Sequence, residues 1–305
     1  MRRVIFIVGP TAVGKTDTAV GLAKALDGEV VSADSMQIYR ELNIGSAKPT
    51  TEEMDGIVHH MIDVVAPEAT FSVSAYAQAA HAAINDIFAR GKQPIVAGGT
   101  GLYVNALLYD MSFGEGEADE KYRAELEALV LEQGGEALYE RLKAVDPGAA
   151  ERIHPNNVRR VMRALEIYRM TGTSVPDFSE APKRHERFES VLIGLTRDRE
   201  ALYDRINRRV DIMLENGLIE EVKNLKKNGI TDRNQSMQGI GYKEVSGFLD
   251  GCYDKATMVT LLKRNSRRYA KRQLTWFKRY PDMHWLDVGL YEGIAPCVEK
   301  ILSII

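Results

Sequence analysis

Cysteine is scarce: Cys252 and Cys297 are the only two in 305 residues. No Cys-x-x-Cys occurs and no His pair lies near either one, which argues against a zinc site or a disulfide framework and suits a reducing compartment. Long hydrophobic runs are missing too. Val4-Ile5-Phe6-Ile7-Val8 is typical of the longest, far short of the roughly 20 residues of a membrane span. Arg2 and Arg3 precede it, but the run leads straight into a glycine loop, the pattern of a buried strand rather than a secretion signal. No repeat of fixed period is present. These absences predict a cytoplasmic protein without membrane association, poor in metal apart from what a substrate brings, and a monomer is expected.

What is present describes an ordinary globular chain, 45% apolar and 27% charged. Its length allows one large core, or a core plus an inserted lobe. The net charge of −3 conceals an asymmetry. From Lys255 to Pro281 there is no Asp or Glu, but there are nine bases: Lys255, Lys263, Arg264, Arg267, Arg268, Lys271, Arg272, Lys278 and Arg279. The remainder of the chain therefore carries about −12. A basic strip on an acidic protein can hold a polyanion on one face, although a solvated helix face has the same composition.

Strand and helix patterns alternate. Strands are predicted at Val4–Val8, Glu29–Ala33, Pro94–Ala97, Val191–Leu195 and His284–Val288, with helices at Lys15–Leu26 and Ser74–Arg90 between them. That order predicts an α/β fold, a parallel sheet covered on both faces. Residues 114–183 break the rhythm. Helices are predicted there at Asp119–Glu132, Glu136–Ala144 and Asn157–Met170, followed by a Pro- and charge-rich return through Val175 to Arg187. Gly114 and Gly116 mark the start of a helical insertion. Further helices are expected near Arg199–Asn216, Ile219–Lys227 and Lys255–Arg279. The core is thus 1–114 with 186–305, and the all-helical lobe is 115–185.

The strongest motif is Gly9-Pro10-Thr11-Ala12-Val13-Gly14-Lys15-Thr16, a complete P-loop between a hydrophobic strand and a helix. Its backbone N–H groups and the helix N-terminus suit a phosphate, Lys15 the terminal oxygens, and the Thr16 hydroxyl Mg²⁺. The motif binds a di- or triphosphate without saying which molecule carries it. Asp34-Ser35-Met36-Gln37 follows the second strand, and parallel strands aim their carboxyl ends at one crevice. Asp34 there can act as a general base, a metal ligand or a substrate acceptor, or it can simply cap a turn. The Gln37 amide can pair with a donor and an acceptor on an adenine edge. Gly98-Gly99-Thr100-Gly101 closes the third strand and brings the Thr100 hydroxyl towards the same place, although a glycine after a strand is commonly a turn.

Together with Ser32-Ala33-Asp34-Ser35-Met36-Gln37-Ile38-Tyr39 and Ile44-Gly45-Ser46-Ala47-Lys48-Pro49, these motifs resemble the bacterial tRNA dimethylallyltransferases. The likeness continues through Gly98–Tyr103, Ile153-His154-Pro155-Asn156, Arg159-Arg160 and Arg163-Ala164-Leu165-Glu166. It resumes at Leu202-Tyr203, Arg205-Ile206, Arg209-Val210, Gly239–Glu244 and Arg264–Trp276, and so covers nearly the whole chain in one order. The resemblance implies a P-loop NTPase-like core with an inserted helical lobe, the two gripping a tRNA anticodon stem-loop. It implies dimethylallyl pyrophosphate, with Mg²⁺, on the P-loop in place of ATP. The acceptor is N6 of the adenine 3′-adjacent to the anticodon, flipped from its stack.

The same resemblance implies the roles. Asp34 takes the amine proton. Lys15, Thr16, Thr100 and Arg209 serve catalysis and the pyrophosphate, with Arg205 one turn from Arg209. For the RNA it implies Asp34, Ser35, Met36, Gln37, Thr100, Arg123, the segment Arg159, Arg160, Val161, Met162 and Arg163, and the loop Gln238, Gly239, Ile240, Gly241, Tyr242 and Lys243. The family often has Gln where Arg159 stands. Two rival classes share part of this pattern. A small-molecule P-loop kinase would lack its second Mg²⁺ carboxylate here, and a nucleotide-gated RNA-binding protein would leave Asp34 idle. Within the resembling superfamily, an enzyme prenylating AMP or ADP would not need the basic helix.

Overall fold

The computed structural model describes residues 2–109, 111, 119–175 and 184–305. Contacts divide the chain into two units, Met1–Tyr109 with Arg184–Ile305, and Asp110–Lys183. The expected insertion start at Gly114 and Gly116, and residues 176–183 of the return, lie outside the described residues.

The first unit begins with β1 (Arg3–Val8), α1 (Lys15–Ala25), β2 (Gly28–Ser32), α2 (Thr51–Met54), β3 (His59–His60), α3 (Val73–Ala89), β4 (Gln93–Gly98) and α4 (Gly101–Leu108). The second unit contributes α5 (Glu120–Val145), α6 (Pro147–Arg152) and α7 (Val158–Thr171). The first unit then resumes with β5 (Glu189–Thr196), α8 (Arg199–Glu215), α9 (Leu218–Lys227), α10 (Tyr242–Leu249), α11 (Lys255–Phe277), β6 (His284–Asp287) and α12 (Ala295–Leu302).

The six strands form one parallel sheet in the order β3-β2-β4-β1-β5-β6. β1 is buried on both faces, as its unbroken apolar run requires. Val4, Phe6 and Val8 join the core with α3 and α4, while Ile5 and Ile7 join the opposite one with α1 and α12, the period-two alternation of a strand. A third apolar cluster joins Ile38, Tyr39 and Leu42 to α8, α9, α10 and α11. Because every strand is parallel, the carboxyl ends of β1, β2 and β4 come out on one edge: Val8 pairs with Gly98, and Ser32 with Ala97. That edge carries the P-loop, Asp34 and Thr100.

Two details depart from the sequence reading. β3 is a two-residue edge strand that no hydrophobic alternation announces, held by its register on Val30 and Val31. In the second unit the helices predicted as Asp119–Glu132 and Glu136–Ala144 run as one span, broken at Gly134, whose φ of 83° only glycine adopts readily. The second unit is built among the described residues from helices alone, around Tyr122, Leu126, Leu138, Leu142, Val161 and Leu165. Both cysteines are free, Cys297 buried and Cys252 exposed. No described helix is long and apolar enough to cross a membrane.

Candidate active site

A cleft of about 1030 Å³ opens at the carboxyl edge of the sheet. The P-loop lines it with Thr11, Ala12, Gly14, Lys15 and Thr16. Gly14 takes φ 113° and accepts from both Thr18 N and Thr18 Oγ1, which turns the loop into α1. Lys15 Nζ donates to the Pro10 carbonyl at 2.7 Å. Burial, with the positive charge of Arg209 beside it, pulls the Lys15 ammonium down to about 8, while Asp34 opposes the shift. An incoming phosphate would favour its charged form. Pro10 and Val13 are buried and support the loop from beneath. The expectation that each loop amide serves a phosphate needs one correction, because Thr11 N–H is already bound to Gln273 Oε1 at 2.9 Å.

Asp34 follows β2 and lines the cleft. Its Oδ1 accepts from the amides of Met36 at 2.8 Å and Gln37 at 3.3 Å. Among the described residues no hydrogen bond engages Oδ2, so the carboxylate both holds its own turn and keeps one oxygen for chemistry. Thr100 Oγ1 accepts from Ser35 N at 3.0 Å and meets Ser35 Oγ at 3.3 Å, tying the turn after β4 to the turn after β2. Gln37 is engaged at both ends of its amide: Oε1 accepts from Ser32 Oγ at 3.0 Å, and Nε2 donates to the Ala47 carbonyl at 3.1 Å. Free pairing of that amide with a base edge is therefore replaced by a pinned amide with one N–H to spare.

Arg209 enters from α8. Its guanidinium lies close enough to Asp34 and Lys15 to shift or be shifted by them, and burial holds its pKa below the ordinary arginine value. Its Nη2 makes a long bond of 3.4 Å to the Ala47 carbonyl. Arg205 Nε bonds the Ala12 carbonyl at 2.9 Å and so braces the P-loop backbone. Arg208 also lines the cleft.

The inward stripe of α11 completes the walls. Leu262, Ser266, Tyr269 and Gln273 recur at helical spacing and all line the cleft. Gln273 is buried, and its Nε2 donates to the Gly99 carbonyl at 2.9 Å, so one side chain joins the P-loop to the turn after β4. A β-carbon at Gly99 would lie 2.2 Å from that Nε2. Tyr269 stands beside Thr100 and Gln273, and burial and Asp34 push its phenol well up. Sequence reasoning saw α11 only as a basic strip. The signal it passed over was the polar Ser266, Tyr269 and Gln273 on an otherwise apolar inward stripe.

The basic residues divide accordingly. Lys255, Arg264, Arg268, Lys271 and Arg272 are exposed on α11, and Lys278 and Arg279 are exposed just past its end. Lys263 pairs with Asp211, while Arg267 donates to Asn207 at 2.6 Å and lies over the Tyr203 ring. These two tie α11 to α8.

The expected RNA contacts also divide. Ser35, Met36, Gln37, Gln238, Gly239, Ile240 and Lys243 line the cleft. Tyr242 does not face it. Its side chain is fully buried, and its hydroxyl donates to Glu221 and accepts from Ser46 N, which corrects its assignment to an RNA surface. Gly241 starts α10 with its N–H on Glu244. In the second unit Val161 is likewise fully buried, so its side chain is core rather than contact. Arg159, Arg160 and Arg163 are exposed and Met162 is half-buried. Arg123 and Arg163 both bond Glu166, whose side chain is 2% exposed. A buried carboxylate needs such partners, so these two arginines have a structural duty of their own.

The sequence profile described as IPP transferase matches residues 37–280. The tRNA dimethylallyltransferase of Alkaliphilus oremlandii is 52% identical over 98% of this chain and 96% of its own. That of Geobacillus thermodenitrificans is 50% identical over 99% and 96%. Among solved structures, the full-length tRNA isopentenylpyrophosphate transferase of Bacillus halodurans is 49% identical, with a TM-score of 0.75 over 100% of this chain and 95% of its own. A eukaryotic dimethylallyltransferase acting on tRNA is 32% identical and has a TM-score of 0.85 over 100% and 78%. With four-fifths of its length matched by the profile and relatives half identical from end to end, the chain belongs to the IPP transferase family.

Proposed function

We propose that the chain transfers the dimethylallyl group of dimethylallyl pyrophosphate to N6 of the adenine 3′-adjacent to the anticodon in tRNA, releasing pyrophosphate. The observation that carries this reading is the grouping of Lys15, Arg209 and Asp34 within electrostatic reach in one cleft. Two cations meet a P-loop where a leaving pyrophosphate needs its charge neutralised. A carboxylate with one unengaged oxygen stands where a weakly nucleophilic exocyclic amine needs its proton removed. In the transfer the C1–O bond to pyrophosphate breaks, the N6–C1 bond forms, and the N6 proton goes to Asp34 Oδ2. The relatives named tRNA dimethylallyltransferase support tRNA as the acceptor.

Magnesium fits this cleft as an ion brought by the pyrophosphate. Thr16 offers one hydroxyl there, and among the described residues no three His, Cys, Asp or Glu gather into a cage. Mg²⁺ commonly keeps several waters and binds through phosphate oxygens, so a single hydroxyl beside the P-loop suffices. When bound, it supplies further neutralisation of the leaving group.

Incubation with labelled dimethylallyl pyrophosphate and either an anticodon stem-loop or ADP is the direct test. Label should pass to the RNA adenine and not to ADP, and ATP should be bound weakly and not hydrolysed. Micromolar ATP affinity with turnover would replace this reading with that of a kinase.

Binding of the RNA should depend steeply on salt. The exposed bases of α11 stand on an otherwise acidic chain, so phosphate contacts must carry the attraction. Four to six contacts give a slope of log affinity against log salt of about −3 to −5. Arg268→Ala and Lys271→Ala should each flatten it by nearly one unit, leaving donor affinity unchanged. Arg267→Ala should instead lower stability, because that side chain joins α11 to α8. Filter binding across a salt series reads the slope, and a shallow slope indifferent to Arg268 and Lys271 would mean that the strip is a solvated face.

A further inference from the structure

The segment Asn43–Lys48 contains one of the most recognisable motifs of the chain, yet nothing in the proposed chemistry uses it. Three of its backbone amides are held by a single remote side chain. Glu221, on α9, accepts at Oε2 from the amides of Asn43 at 2.9 Å and Ile44 at 2.8 Å, and at Oε1 from Gly45 N at 3.0 Å. Tyr242 Oη donates to the same Oε1 at 2.8 Å and accepts from Ser46 N at 3.1 Å. Burial and the adjacent Glu221 carboxylate push the Tyr242 phenol well up, so it stays protonated and keeps donating. The ring packs so closely that a β-carbon at Gly45 would lie 2.6 Å from it. At the far end Lys48 Nζ, its side chain 6% exposed, is bound to the carbonyl of Tyr39, to Asn43 Oδ1 and to Asp63.

Between Ser46 and Lys48, Ala47 is held at φ 49°, a left-handed conformation that a β-carbon disfavours. Such backbone persists where its surroundings over-determine it. The result is a carbonyl aimed into the cleft that accepts from both Gln37 Nε2 and Arg209 Nη2. One atom thus lies between the amide on the base side and the guanidinium on the pyrophosphate side.

We propose that Glu221 is a positioning residue which, by clamping residues 43–45 and holding the Tyr242 hydroxyl on Ser46, sets the Ala47 carbonyl that orients Arg209 and Gln37 together. This rests on the reading of the cleft as a pyrophosphate and adenine site. A carboxylate suits the task because all four of its donors point inward. Neutral glutamine would present an NH2 group to two of them whichever way it turned, and each backbone N–H facing it would lose its bond.

The test is a double-mutant cycle read by calorimetry with inorganic pyrophosphate and Mg²⁺ on the full chain. Glu221→Gln should weaken pyrophosphate binding by about tenfold. In an Arg209→Ala background the same change should cost less than about twofold, because the clamp acts through that guanidinium. A merely structural role would lower the melting temperature and leave the two effects multiplying. Full multiplication, or an affinity within about twofold of wild type for Glu221→Gln alone, would overturn the proposal. If Glu221→Gln does not fold, Tyr242→Phe takes its place in the cycle, with a loss of about threefold and the same non-additivity required. A wild-type chain that binds pyrophosphate but labels no RNA would overturn the functional reading while leaving this cycle decisive for the clamp.

Discussion

Asp34→Asn should lower the single-turnover rate of transfer by about 10²–10⁴, while RNA affinity should stay within about threefold of wild type. The asparagine variant is the sharper probe because Oδ1 also holds the amides of Met36 and Gln37. An amide oxygen can keep those two bonds and the turn they define, but it cannot take a proton from N6. Asp34→Ala removes both functions, so its loss should be at least as large, with an added effect from the freed turn. The carboxylate also offsets the positive charge of Lys15 and Arg209. Its removal should therefore tighten binding of pyrophosphate itself, an effect opposite in sign to the loss of rate. If Asp34→Asn kept a near-wild-type single-turnover rate, the proton would have to leave by another route and the base assignment would fail.

Arg209→Ala should lower the same rate by about 10²–10³, through weaker stabilisation of charge on the departing pyrophosphate. The guanidinium is largely withdrawn from water, where each donor aimed at a developing charge counts for more than on the surface. Arg209→Lys should recover only part of the loss, since a point charge does not reproduce a fork that reaches the pyrophosphate and the Ala47 carbonyl at once. Arg205→Ala should behave differently. Its bond goes to the Ala12 carbonyl, so the P-loop backbone loosens and the donor KM rises more than kcat falls. Rapid-quench measurement of single-turnover rates against donor concentration separates the two arginines. Equal kcat losses with unchanged KM in both would put Arg205, not Arg209 alone, on the leaving group.

Much of the fold was legible in the sequence because its signals are local. An unbroken apolar strand, a glycine loop and a helical apolar face are consecutive in the chain, and their physical consequences are settled within a few residues. The parallel sense of the sheet follows from strands separated by helices, and a shared crevice at their carboxyl ends follows from that. Lys15, Thr16 and Asp34 could thus be placed in one cleft from residue types alone, and the structure sets all three in its lining. The helical character of Asp119–Glu132 and Glu136–Ala144 was legible too, although the structure joins them into one span broken at Gly134.

What tertiary structure alone decided is the partner of each polar side chain. Gln273 reads as one more polar residue in a basic helix, yet it meets a P-loop amide 262 positions away. Glu221 reads as an acid near a helix start, where a solvated carboxylate is ordinary, yet it gathers four donors from a loop and a helix remote in sequence. Tyr242 stood in a segment expected to touch RNA and instead faces inward, and Arg123 and Arg163 stood on a face expected to touch RNA and are engaged by Glu166. In each case the residue type allowed both outcomes. Chain chemistry sets which groups must be satisfied when water is excluded, but only packing sets which distant group is near enough to satisfy them.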